Sequence, residues 1–306
     1  MYISSGLSKI AENYEYFIFD IWGVIHDGNQ LYPTVLETLK YLKSKNKKIC
    51  FLSNAPRRSA RAEVVLNKFG IDKSYYDFIL TSGESAFEDL KENQNNNFQR
   101  FGRNYLYIGP NKDMDLLDGL GYKMVLNPSQ ADFAITTGFD HDNSTLQEKL
   151  PLAIQANNYK LIMLCINPDL IVVKQNGQEM ICAGLLGLEY EKMGGVVNYY
   201  GKPFKIVYDM VFEKYNNPPK SMFLAIGDSL ETDIKGANDY GINSLLLTGG
   251  ILSNELGIKF WQDPEIENLN KLCNKYNIYP KHIISNLKLW NFIQKKEKIL
   301  LKFCLH

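Results

Sequence analysis

No stretch of this sequence reaches the ~18 uninterrupted apolar residues that a membrane helix needs, and the N-terminus, MYISSGLSKIAENYEY, lacks the apolar segment of a signal peptide. Cysteine is sparse: Cys50, Cys165, Cys182, Cys273 and Cys304 are odd in number, scattered and without Cys-x-x-Cys spacing. That excludes a disulfide framework and a cysteine zinc site, and it fits a reducing compartment. The four histidines, His26, His141, His282 and His306, stand at no metal-binding spacing. Net charge is also missing, because Lys+Arg and Asp+Glu balance at 34 each. Nothing therefore draws the chain to nucleic acid or to an anionic membrane. A cytoplasmic protein with neither partner is the expectation. Its 306 residues suffice for one large or two ordinary domains.

What is present is an alternation of buried-strand and helix patterns. Tyr16-Phe17-Ile18-Phe19 is aromatic and β-branched, suits a buried strand, and stops at a carboxylate, Asp20. Such an acid either merely ends a strand or lies at the carboxyl edge of a parallel sheet, where open α/β folds place ligands. A helix is expected from Val35 to Lys45 with Thr34 as N-cap. Strand Lys48–Leu52 follows, ending at Ser53-Asn54, then a helix from Ser59 to Phe69 closed by Gly70, and a strand Phe78–Leu80. This is the order of a doubly wound parallel α/β sheet.

The texture changes at Lys91–Asn97, a polar, Asn-rich stretch that reads as an exposed loop. A second alternation follows through strands near Tyr105–Ile108, Tyr122–Val125, Phe133–Thr136 and Lys160–Cys165, with helices at Asn111–Leu120, Ser144–Ala156 and Gly184–Met193. The expected organisation is a core over 1–85, an inserted α/β cap domain over 86–196, and the rest of the core over 197–306. That last part holds Gly201-Lys202-Pro203, a helix Phe204–Lys214, the buried strand Met222–Ile226 ending at Gly227-Asp228-Ser229, and Asp233 close behind. Apolar and lysine positions at helical spacing run from Ile284 to Cys304.

Polar groups thus gather at strand ends: Asp20, Ser53-Asn54, and Asp228 with Asp233, joined by Lys202 in its turn. Phosphoryl transfer to a carboxylate uses such a set. A carboxylate can attack phosphorus, a hydroxyl, backbone N–H groups and a lysine can hold the equatorial oxygens, and carboxylates suit Mg²⁺. Arg57 and Arg58 read equally as substrate-anion ligands or as a solvated helix start. Asn167-Pro168-Asp169 reads as a substrate-facing turn or as a simple strand ending.

The chain resembles the haloacid dehalogenase-like (HAD) superfamily, and most of all its class IIA branch with an inserted α/β cap, which includes nucleotide-monophosphate and pyridoxal-phosphate phosphatases. Asp20 in FIFDIWGVIHDG matches the first motif, Ser53 in FLSNAP the second, Lys202 in YGKP the third, and GDSLETDIKGAN the fourth. The resemblance implies a Mg²⁺-dependent phosphatase acting on a small phosphorylated metabolite through an aspartyl-phosphate. It implies Asp20 as nucleophile, Ser53 and Lys202 as phosphate ligands, and Asp20, Asp228, Asp233 and the backbone carbonyl of Trp22 around the metal. Asn54 is expected to support the active-site turn through local side-chain hydrogen bonds, with contact to the transferring phosphate as the alternative; Asn167 and Asp169 are candidates for the substrate side. A homodimer fits the branch.

One departure stands out. The first motif normally has a second Asp, the general acid and base, where this chain has Trp22. General acid–base catalysis is worth ~10²–10⁴-fold, so its loss points to a slow phosphatase, a phosphotransferase, a substrate with a good leaving group, a substitute acid, or a phosphometabolite-binding protein. His26, on the turn leaving the first strand, is the substitute to test, with Asp27 assisting; the alternative makes both ordinary turn residues.

Overall fold

Residues 3, 4, 6–95, 100–173, 178–259 and 262–289 are described in this computed structural model. A short helix α1 (Leu7–Ala11) leads into β1 (Tyr16–Phe19), whose last three residues are buried as its apolar run demands. Helix α2 (Val35–Ser44) buries Val35, Thr38, Leu39 and Leu42 on one face, and β2 (Lys48–Ser53) is buried after its first residue. Then come α3 (Ser59–Lys68), β3 (Phe78–Thr81) and α4 (Ser82–Asn95). The next strands and helices are β4 (Asn104–Ile108), β5 (Lys123–Val125), β6 (Phe133–Thr136), α5 (Leu150–Asn158) and β7 (Ile162–Cys165). After them lie β8 (Ile171–Val173), β9 (Glu179–Ile181), α6 (Ala183–Lys192), β10 (Val197–Tyr199) and α7 (Lys205–Lys214). The chain continues with β11 (Phe223–Gly227), α8 (Lys235–Tyr240), β12 (Asn243–Leu247), α9 (Ile266–Tyr276) and β13 (His282–Ile284).

Two compact units result. One comprises Met1–Phe51, Leu66–Phe78 and Tyr215–His306, the other Leu52–Val65 and Ile79–Lys214. The six-stranded sheet has the order β13-β12-β11-β1-β2-β3, parallel at β13–β12, β12–β11, β11–β1 and β1–β2. Its chain therefore runs outward in both directions from the central pair β1 and β11, the signature of double winding. The second unit has its own parallel sheet, β10-β7-β6-β4-β5, and an antiparallel hairpin of β8 and β9. Each unit has its own apolar core: Leu230, Ile234, Leu246, Leu269 and Ile283 lie together in the first, and Leu106, Ala134, Met163, Leu186 and Tyr190 in the second. No helix among the described residues is long and apolar enough to cross a membrane.

Three local expectations change. Thr34 does not cap α2: it takes a left-handed φ of 69°, and its hydroxyl donates to the Leu287 carbonyl instead of accepting from the first helical turn. The polar stretch at 91–95 is helical, because Asn93 is buried and fully used: its Nδ2 donates to the Phe101 carbonyl (3.2 Å) and the Tyr122 hydroxyl (2.9 Å), and its Oδ1 accepts from the Arg100 amide (2.7 Å). Asn96 and Asn97 lie outside the described residues. Of the pattern from Ile284 to Cys304, Ile284 closes β13, Ser285–Leu289 is not helical, and 290–306 lie outside the described residues.

A buried ion cluster ties α4 to the end of β10 in the second unit. Tyr200, 3 % exposed, donates its hydroxyl to Asp89 Oδ2 at 2.5 Å, and Arg100 Nη2 holds the other carboxylate oxygen at 2.5 Å. Burial, and then the Asp89 carboxylate, push the Tyr200 phenol well above its ordinary pKa, so it acts only as a donor. Removing the hydroxyl in Tyr200→Phe leaves a buried carboxylate oxygen short of a partner, a loss of about 2 kcal/mol. Urea unfolding should show a lower midpoint with an unchanged slope.

Candidate active site

Strand register sets the position of the acids in the first unit. Phe19 pairs with Ile226 across β1 and β11, and the Asp20 amide donates to the Ile226 carbonyl at 2.9 Å. Asp20 is thus level with Gly227 at the carboxyl ends of the two central strands, and Asp228 follows one residue on. This is the point where strand order reverses, the usual ligand position in such sheets. Beyond Asp228 the chain makes one wide helical turn, Leu230–Ile234, in which the Ile234 amide reaches back to the Ser229 carbonyl at 3.1 Å. Turns of this width recur at functional sites. This one brings Asp233 back toward the strand end, where its Oδ2 accepts the Ser229 amide at 3.2 Å.

Asp20, Asp228 and Asp233 are all buried, and each offers a carboxylate oxygen within 4.8 Å of the others. The Ile251 amide donates to Asp228 Oδ2 at 2.9 Å. Gly23 passes close by: its φ is +84°, and a Cβ there would lie 2.1 Å from Asp228 Oδ2. Only glycine combines that backbone with that clearance. Three like charges this close repel unless a cation lies among them, and an all-oxygen donor set suits a hard divalent ion. The residues therefore fit Mg²⁺.

Trp22 is 37 % exposed; its indole lies over Gly28 and meets the His26 ring edge-on, with centroids 5.9 Å apart. His26 itself is buried against Phe69 at 5.0 Å, and its Nδ1 accepts the Gly28 amide at 2.9 Å. Burial lowers its pKa, against a smaller raising influence from Asp27. Asp27 Oδ1 accepts the amides of Asn29 and Gln30 at 2.8 Å each. Both side chains thus bond the backbone of their own turn. Tyr32 escaped the sequence reading. Burial first, then the fields of Asp228, Asp27 and Asp20, raise the pKa of its phenol. It stands twelve residues past Asp20 in an irregular loop, so no spacing signals it.

The second unit holds the other candidates. Ser53 is the buried last residue of β2, and its Oγ accepts the Ala55 amide at 3.2 Å. Lys202 is buried, with its main chain bonded to the Asn54 carboxamide, which also donates to Asp169 Oδ1 at 2.8 Å. Asn167 folds its own turn, its Oδ1 accepting the Asp169 amide at 3.1 Å. Arg57 and Arg58 are engaged internally, Arg57 with buried Asp113 at 2.6 Å and Arg58 with both Glu84 oxygens at 2.9 Å, its guanidinium 3.3 Å from the Phe87 ring centroid. Both side chains keep part of their surface in solvent, Arg57 40 % and Arg58 33 %. Apart from Asp20, Asp228 and Asp233, the described residues hold no group of three metal-ligating side chains.

A doubly wound parallel sheet with carboxylates at its reversal point, interrupted in sequence by a second parallel α/β unit, defines a Rossmann-like hydrolase architecture. Comparison with known proteins agrees. The family described as haloacid dehalogenase-like hydrolase matches residues 17–123, and a second, HAD-hydrolase-like family matches 199–288. Phosphoglycolate phosphatase 2 of Arabidopsis thaliana is 27 % identical over 273 residues, covering 82 % of this chain and 88 % of its own. Sugar-phosphatase AraL of Bacillus subtilis (strain 168) is 27 % identical over 241 residues, covering 78 % and 85 %. In fold, a haloacid dehalogenase-like hydrolase from Brucella suis 1330 superposes with a TM-score of 0.78 at 24 % identity, over 93 % of this chain and all of that one. The chain belongs to the haloacid dehalogenase-like hydrolases, and its kinship is with the class IIA type.

A buried, neutral His26 makes a pH prediction. The unfolded chain takes up a proton below the ordinary histidine pKa of about 6.5, while folded His26 resists it. More protons bind the unfolded state, so stability falls as pH drops through that value. In His26→Gln this acid limb should flatten, and the pH profile of turnover should stay that of wild type.

Proposed function

We propose that the chain is a Mg²⁺-dependent phosphatase that hydrolyses a small phosphomonoester through an aspartyl-phosphate on Asp20. The observation that carries this reading is the buried set of three carboxylates around one point, at the reversal of a parallel sheet. Relatives named as phosphoglycolate and sugar phosphatases support the reaction and favour a small phosphorylated acid or sugar as substrate. Asp228 and Asp233, with Asp20 and the Trp22 carbonyl, would hold the ion. Bound there, Mg²⁺ supplies positive charge against the phosphoryl oxygens and the crowded carboxylates.

Asp20 attacks phosphorus, the ester P–O bond breaks, and the leaving oxygen departs with its electron pair. Ser53 and Lys202 take the charge on the equatorial oxygens by hydrogen bonding, the larger part of catalysis in this chemistry. Water then cleaves the acyl phosphate, frees phosphate and restores the Asp20 carboxylate.

Trp22 favours a second reading. An indole carries no exchangeable acid for the leaving oxygen and no base for water, so the phosphoryl group on Asp20 would pass to another acceptor, or the site would only bind a phosphorylated metabolite.

Phosphate release from phosphoglycolate, sugar phosphates and an aryl phosphate, each with and without Mg²⁺, tests this. Wild type should turn over only when Mg²⁺ is present, and Asp20→Asn should lose on the order of 10³-fold or more, as removal of a nucleophile does. Leaving-group release without free phosphate would select the transferase reading, and Mg²⁺-dependent binding without turnover the binding protein.

A further inference from the structure

Asn54 makes a set of hydrogen bonds that leaves it nothing for a substrate. Its side chain addresses the main chain of Lys202 with both ends: the Lys202 amide donates to Oδ1 at 2.7 Å, and Nδ2 donates to the Lys202 carbonyl at 3.0 Å. An amide N–H can only donate and a carbonyl only accept, so the carboxamide's orientation is determined by its partners. The other Nδ2 hydrogen goes to Asp169 Oδ1 at 2.8 Å. A carboxamide has two donors. Both are taken, so Asn54 offers none to a phosphate oxygen, and of its two sequence readings, turn support and phosphate contact, these bonds favour the first.

The surroundings make this clip rigid. Asn54 and Lys202 are 6 % and 4 % exposed, so water does not replace a lost bond. Gly201 has a φ of +126°, and a Cβ there would lie 2.3 Å from Ser82 Oγ, 2.6 Å from Asn54 Oδ1 and 2.7 Å from Pro168 Cδ. The 201–202 backbone is thus wedged between Asn54 and the turn that carries Asp169. That turn is fastened in its own right, by the Asn167 side chain on the Asp169 amide and by the Gly184 amide on the Asp169 carbonyl, each at 3.1 Å.

We propose that Asn54 is a positioning residue for Lys202 and that Asp169 sets its orientation, so that one carboxamide couples the Asn167–Asp169 turn to the lysine. The main chain of Lys202 is gripped at both its polar atoms, which fixes the root from which its ammonium extends. Asp169 keeps Nδ2 on the correct side. A substrate that shifts the turn after β7 would therefore alter the lysine's placement, and the turn becomes a point from which the lysine can be tuned. The kinetic consequence rests on the phosphatase reading above; the binding consequence does not.

The test compares wild type, Asn54→Asp, Asp169→Asn and the double variant. Asn54→Asp keeps the acceptor for the Lys202 amide, loses both donors and opposes the Asp169 carboxylate. Asp169→Asn in the same chain supplies a donor across the pair. Calorimetric titration with inorganic phosphate in Mg²⁺ should show affinity about tenfold lower in Asn54→Asp, the loss of one charge-assisted bond. The double variant should recover part of it, through the restored bond to residue 169, while the Lys202 carbonyl stays without its donor. With an aryl phosphate, kcat should fall more than KM rises, and the pair should again rescue. Loss of thermal stability in Asn54→Asp with phosphate affinity and kcat unchanged would reduce the clip to a structural bond and overturn the proposal. Loss without rescue in the double variant would make Asn54 a direct phosphate ligand, with the same result. Wild type that binds no phosphate overturns it as well, because Lys202 then has no anion to hold. Wild type that binds phosphate yet hydrolyses nothing removes the phosphatase reading and leaves the calorimetric comparison decisive.

Discussion

Crowding of like charge is the constraint on which the first unit's architecture turns. Oxygens of Asp20, Asp228 and Asp233 lie within 4.8 Å of one another, where each pair of full charges costs about 3–4 kcal/mol at an effective dielectric near 20. A fold that gathers three such groups must offset their repulsion. Backbone amides of Ile251 and Ser229 turn toward Asp228 and Asp233, and Gly23 keeps its turn clear of the Asp228 carboxylate. The wide turn over Leu230–Ile234 gives up regular helix geometry to bring the third acid home. Each of these departs from what secondary structure alone would prefer, and each serves the same small volume.

The acid cluster and the groups around Lys202 are built on opposite principles. Around the acids, side chains remain concentrated on one point and their repulsion keeps them ready for a cation. Around Lys202 the groups satisfy one another: Asn54 uses both donors, and Asn167 closes its own turn. A cluster of the first kind attracts a ligand; a network of the second kind holds a shape. The same distinction separates His26, whose ring nitrogen is occupied by Gly28, from Tyr32, whose hydroxyl stands in the field of the acids.

Most of the architecture was legible because it rests on short-range rules. An apolar run of four or five residues ending in an acid declared β1 and β11, and the alternation of strands and helices declared double winding. The acids at their ends came with them. What sequence missed depends on partners far along the chain. Thr34 has the composition of a cap, but Leu287 claims its hydroxyl. Asn93 sits in a loop-like run, but Phe101, Tyr122 and Arg100 make it part of a helix. The short strands β8, β9 and β10 have three residues each, too few for periodicity to speak. Side-chain support by Asn54 is legible from its place after a strand end, but only the positions of Lys202 and Asp169 reveal where its hydrogens go.

The central pairing of the six-stranded sheet carries a consequence for how the molecule is made. Tyr16 pairs with Phe223 and Phe19 with Ile226, so the neighbouring strands come from opposite ends of the chain. A nascent chain emerging in order from the ribosome presents β1 with one edge open for as long as β11 is unsynthesised. Throughout that interval its aromatic residues lack one wall and Asp20 lacks both companions. Independent collapse of the intervening parallel unit shortens the loop that must then be closed, and closure costs less as the loop contracts. Truncated products ending before Gly227 would thus carry the strand of Asp20 without the two acids that gather beside it, and would expose an apolar strand edge of the kind that recruits chaperones or aggregates.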